Sequence, residues 1–125
     1  MPNESQYCIQ VVDDEEPLLN ALRGQLVEAG YDVCTASGHD DAINQYKSGK
    51  IPDLSIIDIY FDGEPKGLEV LKYIKTNHPS SKVIMATAND DVTIAFASMK
   101  FGADAFFPKP YEISEIIATI ERVRN

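Results

Sequence analysis

Residues 7–17 read Tyr7-Cys8-Ile9-Gln10-Val11-Val12-Asp13-Asp14-Glu15-Glu16-Pro17, a mainly apolar run that stops in acids and a proline. A short run of this kind predicts a strand covered on both faces, because a half-exposed strand would alternate. Pro17 falls where a first helical turn tolerates it, and Leu18, Leu22 and Leu26 follow on one helical stripe. The stretch is a buried strand feeding a helix through an acidic corner.

The pattern recurs along the 125 residues. Runs at Tyr31 to Thr35, Leu54 to Ile57, Lys82 to Ala86 and Ala105 to Phe107 are short and rich in Ile, Val and aromatics, so each predicts a strand. Leu68, Leu71 and Ile74 mark one helical stripe, and Ile113, Ile116, Ile117, Ile120 and Val123 mark another. Gly30 and Gly102 fall just past helix ends, while Ser37 or Asp90 is expected to cap the helix it precedes. Five strands alternating with five helices predict an α/β fold, a doubly wound parallel sheet with helices on both faces. The length fits one module, residues 1–125, with a single continuous core.

Composition narrows the functions. Eleven basic against twenty acidic residues leave a net charge of −9, which argues against direct nucleic-acid binding, since duplex affinity rests on Lys and Arg neutralising phosphates. Cys8 and Cys34 sit in apolar runs without Cys-x-x-Cys spacing and read as buried, reduced thiols. His39 and His78 are isolated, lack zinc-ligand spacing and are expected at the surface. Met1 to Gln6 has neither a basic nor an apolar leader segment, and no stretch approaches the ~20 apolar residues that cross a bilayer. A soluble, cytoplasmic module with no membrane contact is the expectation.

The strand ends carry the chemistry: Asp13-Asp14 after the first, Asp58 after the third, Thr87 after the fourth and Lys109 after the fifth. Ligands of open α/β sheets bind outside the carboxyl ends of the strands. If the strand order is 2-1-3-4-5, strands one and three are neighbours about 4.8 Å apart, and all five residues share one rim. Three carboxylates and one ammonium sum to −2, and such crowding either raises a pKa or recruits a cation. An all-oxygen set with few carboxylates suits Mg²⁺, which retains waters and accepts phosphate oxygens. Asp58 can then attack a phosphoryl group to form an acyl phosphate, with Lys109 neutralising the transferred oxygens and Thr87 offering a hydroxyl. Each residue alone has an ordinary reading: acids at a helix start, a turn aspartate, an N-cap threonine, a solvated lysine. Their coincidence at one rim favours the joint reading.

At Val11-Val12-Asp13-Asp14-Glu15, Ile56-Ile57-Asp58, Thr87-Ala88, Gly102-Ala103-Asp104 and Lys109-Pro110 the chain resembles the receiver domain of bacterial two-component response regulators, of the chemotaxis-regulator type, over nearly its whole length. The resemblance implies a flavodoxin-like five-stranded sheet of order 2-1-3-4-5. It implies phosphorylation of Asp58 by a phosphohistidine on a sensor histidine kinase or phosphotransfer protein. Mg²⁺ would be held by Asp14, Asp58 and the backbone carbonyl of Tyr60, with Asp13 acting through water. Lys109 would contact the phosphoryl group, its bond to Pro110 would be cis, and Thr87 with Phe106 would form the switch. Such a domain is not an enzyme toward other molecules; it catalyses only its own phosphorylation and dephosphorylation. Its output passes to an effector or output domain, or to a second copy in a phosphorylation-dependent homodimer.

The chain departs from the family's pattern in the loop Ile59-Tyr60-Phe61-Asp62-Gly63-Glu64-Pro65-Lys66-Gly67. Asp62 takes the usual proline position, and the loop is about one residue longer on its turn signals. Phe106 stands where many receivers carry Tyr, so its inward state would rest on packing without a hydroxyl. Tyr60 and Asn89 occupy positions that in the family tune phosphoryl loss. The fourth helix, Asp90 to Phe101, has two apolar stripes: Val92, Ala95, Phe96 and Met99, and opposite them Ile94, Ala97 and Phe101. One must face the sheet; the second, Ile94, Ala97 and Phe101, is the expected partner surface. Three other classes fit less well. A related phosphatase wants Asp-x-Asp where Glu15 follows Asp13 and Asp14, and a nucleotide-binding loop Gly-x-x-x-x-Gly-Lys-Ser/Thr is absent. A phosphorylation-independent receiver-like scaffold would have no need of the intact rim residues.

Overall fold

The computed structural model describes residues 6–61, 63–88 and 92–124. The elements are β1 (Cys8–Val12), α1 (Glu16–Glu28), β2 (Asp32–Ala36), α2 (His39–Lys47), β3 (Leu54–Asp58), α3 (Lys66–Asn77), β4 (Lys82–Ala88), α4 (Val92–Lys100), β5 (Ala105–Lys109) and α5 (Ile113–Arg124). The strands form one sheet of order β2-β1-β3-β4-β5, and every neighbouring pair is parallel. The predicted architecture and strand order are those observed.

Successive strand residues point to opposite faces of a sheet, and here both faces are covered. Ile9, Val11, Leu54, Ile56 and Ile84 pack with Leu22 and Leu26 of α1 and Ile116 and Ile120 of α5. Val12, Ile57, Val83 and Met85 pack with Ala42 and Tyr46 of α2 and Val70, Leu71 and Ile74 of α3. This double cover explains why the strands read as unbroken apolar runs. One polar chain crosses the sheet: the Gln10 amide donates to the Ala42 carbonyl at 3.0 Å and accepts from Ser55 Oγ at 2.8 Å, and Ser55 meets the Tyr46 hydroxyl at 2.6 Å. Burial pushes the Tyr46 hydroxyl up to about 12, opposed by its hydrogen bond to Ser55.

Several local expectations change. Ser37 does not cap α2; Gly38, in extended backbone, occupies that position without a side-chain cap. Asp90, Asn89 and Asp62 lie outside the described residues. His39 is only partly exposed and lies between Asp40, 2.8 Å from Nδ1, and Glu69, 3.6 Å from Nε2. His78 is likewise half-buried, with its ring 5.2 Å from that of Tyr46 and 5.9 Å from that of Tyr73. Cys8 is buried and Cys34 half-buried, both as free thiols; burial chiefly, with help from Cys8, pushes Cys34 up to about 11. Among the described residues no helix is long and apolar enough to cross a membrane.

The strands also run further than their apolar stretches. β3 includes Asp58, β4 includes Thr87 and β5 includes Lys109. These three rim residues are therefore held in the hydrogen-bonded ladder itself, which fixes their backbones more firmly than a loop would, while Asp13 and Asp14 follow the end of β1.

Candidate functional site

β1 and β3 are adjacent through Val12↔Ile57, so the residues that follow, Asp13 and Asp58, emerge side by side. Asp58 pairs across to Ala86 of β4, and Thr87 and Ala88 pair with Pro108 and Lys109 of β5. The register alone gathers Asp13, Asp58, Thr87 and Lys109 at one edge.

The side chains meet there. Lys109 Nζ donates to Asp13 Oδ2 at 3.0 Å and lies 3.5 Å from Asp58 Oδ2. Asp13 Oδ1 accepts the Glu15 backbone N–H at 2.9 Å, which folds the chain into α1 and fixes the carboxylate. Asp13, Asp14 and Asp58 each bring an oxygen to within 4.8 Å of the others. At an effective dielectric near 20, carboxylates this close repel by about 3 kcal/mol per pair. One ammonium does not balance them.

The electrostatics of Asp58 reflect this. Its carboxyl is raised to about 6, first by burial and then by Asp13 and Asp14, against the opposing pull of Lys109. Burial alone would lower the Lys109 ammonium, but its hydrogen bond to Asp13 and the charges of Asp58 and Asp13 outweigh it, so its pKa is raised. Lys109 stays charged and Asp58 sits near the edge of ionisation. A hard divalent cation fits this donor set, since it removes the repulsion that one lysine leaves and takes oxygen ligands of this kind. Asp13, Asp14 and Asp58 are the side chains that could hold it.

Thr87 is 1% exposed, and among the described residues its hydroxyl has no hydrogen-bond partner. The Lys109–Pro110 peptide is cis. Tyr60 follows Asp58 by two residues and packs, partly buried, against the core. Phe106, opposite Met85, lines an apolar depression of about 190 Å³ with Ala95, Phe96 and Met99 of α4.

That depression corrects the reading of α4. Ile94 packs against the core and Ala97 is half-buried, so of the three expected surface residues only Phe101 is exposed, with the Lys72 ammonium 4.2 Å from its ring. The other large exposed side chains of this segment are Phe96, at 70%, and Met99, at 47%. Ser98 explains the error. It is fully buried, which its hydroxyl tolerates by donating to the Ile94 carbonyl at 3.0 Å, so the covered line is Ile94–Ser98 and a polarity pattern passes over it.

Sequence reasoning also missed two neighbours of the rim. Tyr111 is half-buried beside Lys109, its hydroxyl raised by burial first, against the pull of Lys109 and with further push from Asp13 and Asp58. Gly67 was read only as a loop glycine, yet its backbone donates to the Ile59 carbonyl at 2.8 Å. Nothing in composition or spacing marks Tyr111; for Gly67 the one signal is the glycine that the family carries shortly beyond the phosphoacceptor.

The doubly wound sheet with an acidic rim at the carboxyl ends of β1 and β3 and a lysine closing β5 defines an open α/β domain whose site lies where such sheets bind their ligands. The comparisons give the family. A model of the response regulator receiver domain matches residues 9–121, and the chain belongs to that family as a receiver of two-component signalling. Among its relatives are the alkaline phosphatase synthesis transcriptional regulatory protein PhoP of Bacillus subtilis, 33% identical over 92% of this chain and 47% of that protein. Another is the DNA-binding transcriptional regulator NtrC of Escherichia coli, 35% identical over 91% of this chain and 24% of that protein. The chain thus spans less than half the length of either relative. Among solved structures, the receiver domain of NtrX from Brucella abortus superposes with a TM-score of 0.86 at 31% identity, covering 93% of this chain and 97% of that one. A CheY-like receiver domain from Methanospirillum hungatei gives 0.88 at 25% identity, covering 96% and 94%.

Proposed function

We propose that Asp58 accepts a phosphoryl group from a phosphohistidine on a sensor histidine kinase or phosphotransfer protein, and that the domain passes the signal on through α4, β5 and α5. The observation that carries this reading is the rim itself: three carboxylates within 4.8 Å of one another and Lys109 within 3.5 Å of two of them.

Asp58 supplies the nucleophile. Its Oδ attacks phosphorus as the phosphorus–nitrogen bond of the donor breaks, and the electron pair leaves with the imidazole, which takes up a proton. Bound Mg²⁺ would neutralise the carboxylates and the transferred oxygens, with Asp14, Asp58 and the Tyr60 carbonyl as its ligands and Asp13 acting through water. Lys109, held by Asp13, stands beside the attacked oxygen and offers its ammonium to the phosphoryl group. Thr87 donates its hydroxyl to a phosphoryl oxygen, and its movement frees space into which Phe106 turns.

The domain acts on itself alone, catalysing the gain and loss of its own phosphoryl group. The donor protein has apolar surface to hold beside the rim, a groove of about 580 Å³ between Leu18, Ala21, Leu22 and Gln25 of α1 and Lys109, Pro110 and Tyr111. The output surface is the depression of Phe96 and Met99 over Phe106, where an effector, an output domain or a second copy would dock. Kinase and receiver meeting in this way puts the domain in the cytoplasm.

Incubation with Mg²⁺ and a small phosphodonor, read by intact mass, tests the assignment. Wild type should gain one phosphoryl group and Asp58→Asn none. Equal labelling of both, or none of either, would refute Asp58 as acceptor.

A further inference from the structure

The loop between β3 and α3 is bound to the end of β3 more tightly than its turn-rich sequence suggests. Phe61 N–H donates to the Glu64 carbonyl at 2.9 Å and Glu64 N–H to the Phe61 carbonyl at 3.0 Å, a small antiparallel bridge. Gly63 stands in the turn at φ +75, and the Phe61 side chain is buried in the core at 1% exposure. The longer loop is thus taken up as a tight turn pinned by an aromatic anchor.

A second set of contacts ties the same segment to α3. Ile59 N–H donates to the Ala86 carbonyl at 2.9 Å, and the Ile59 carbonyl accepts from Gly67 N–H at 2.8 Å. A side chain at Gly67 would overlap the Asp58 carbonyl oxygen and come within 2.7 Å of the Ile59 α-carbon and 2.9 Å of its carbonyl oxygen. All three atoms are backbone, so no rotamer change relieves the clash. Only glycine lets the first turn of α3 lie on the peptide of Asp58.

We infer that Gly67 and the Phe61–Glu64 bridge are the positioning device of the metal centre: they fix the backbone of Asp58, Ile59 and Tyr60 so that the carboxylate and the following carbonyl are preset as ligands. The inference rests on the metal-site reading given above. Ile59 and Phe61 are each tied down, and the direction of the Tyr60 peptide between them is set by those ties. Gly67 touches backbone and neither substrate nor metal, so it is a positioning residue.

The test measures Mg²⁺ affinity by calorimetric titration, alongside urea unfolding and amide hydrogen exchange at position 67 and at Phe61. Gly67→Ala should bind Mg²⁺ at least tenfold more weakly while still unfolding cooperatively, and the position 67 amide should lose protection. Gly63, whose added Cβ meets nothing within 4 Å, supplies a pair that leaves packing alone. Asn tolerates positive φ and a β-branched residue does not. Gly63→Val should weaken Mg²⁺ binding at least threefold, and Gly63→Asn should keep the wild-type affinity. Affinity within twofold of wild type in a folded Gly67→Ala, or equal affinities for the Gly63 pair, would overturn the inference. A wild type that binds no Mg²⁺ would overturn the metal-site reading, and the inference with it.

Discussion

Each end of the sheet carries a partly buried lysine–carboxylate pair, and the two pairs do opposite things. At the amino ends of the strands, Lys75 Nζ meets Asp104 Oδ2 at 2.9 Å and also donates to the Ser81 carbonyl at 2.8 Å. The same Asp104 oxygen accepts the Val83 N–H at 2.9 Å, and nearby Asp53 accepts the Cys8 N–H at 2.8 Å. The Lys75 and Asp104 charges match one to one and both groups also bond backbone, so the pair staples α3, β4 and β5 together. At the carboxyl ends, Lys109 faces Asp13 and Asp58, with Asp14 beside them. Among the described residues, three carboxylates face one lysine there. A lysine–carboxylate pair is a staple where the count closes and a site where it does not.

Substitutions at the two ends should separate these roles. Asp58→Asn gives the largest effect, complete loss of phosphoryl labelling by intact mass. Lys75→Met leaves Asp104 partly buried without its cation and should cost about 2–4 kcal/mol in urea unfolding, with labelling by a small phosphodonor kept. Loss of labelling in a folded Lys75→Met would erase the distinction.

Asp58→Asn should also stabilise the protein in the absence of divalent cations. The carboxyl is raised from 3.8 to about 6, so ionising it disfavours the folded state by about 1–3 kcal/mol. A raised carboxylate pKa means the folded state binds the proton more tightly. The gain from Asn is therefore full above pH 6, shrinks as pH falls through that value and vanishes below about pH 4. Urea midpoints of the two proteins across pH 4–8 check the sign; a gain that grows toward acid would be wrong.

Smaller effects follow at the surfaces. Lys109→Met should reduce the response to phosphorylation more than it reduces Mg²⁺ affinity, and equal loss of both would contradict the division of roles. Phe96→Glu, at an exposed position, should leave labelling unchanged and weaken effector binding or self-association under phosphorylating conditions. Unchanged binding would remove the α4 depression as the output surface.

The fold was legible because its signals are local. Buried parallel strands must be apolar throughout, as at Ile9, Val11 and Ile56, and their helices must carry one stripe, as at Leu22 and Leu26. The rim was legible because strand order and register convert distant residues into neighbours without any side-chain detail. What escaped depends on contacts that no pattern encodes. Ser98 hides its polarity in its own helix, so the exposed face of α4 was assigned to Ile94 and Ala97 when Phe96 and Met99 occupy it. Gly67 matters through a backbone approach to Asp58, and its identity alone does not separate that from an ordinary turn. His39 and His78 keep part of their surface exposed, but isolation in sequence says nothing about the contacts with Asp40, Glu69, Tyr46 and Tyr73 that cover the rest.

The most direct test of the difference between the two ends is a carboxyl-carbon NMR titration of Asp58, recorded with and without Mg²⁺. Without the cation the carboxyl should titrate near 6, and with saturating Mg²⁺ its midpoint should fall below the ordinary 3.8. A midpoint at the ordinary value that Mg²⁺ leaves unmoved would mean the rim carries no excess charge to neutralise, and the contrast between staple and site would fail.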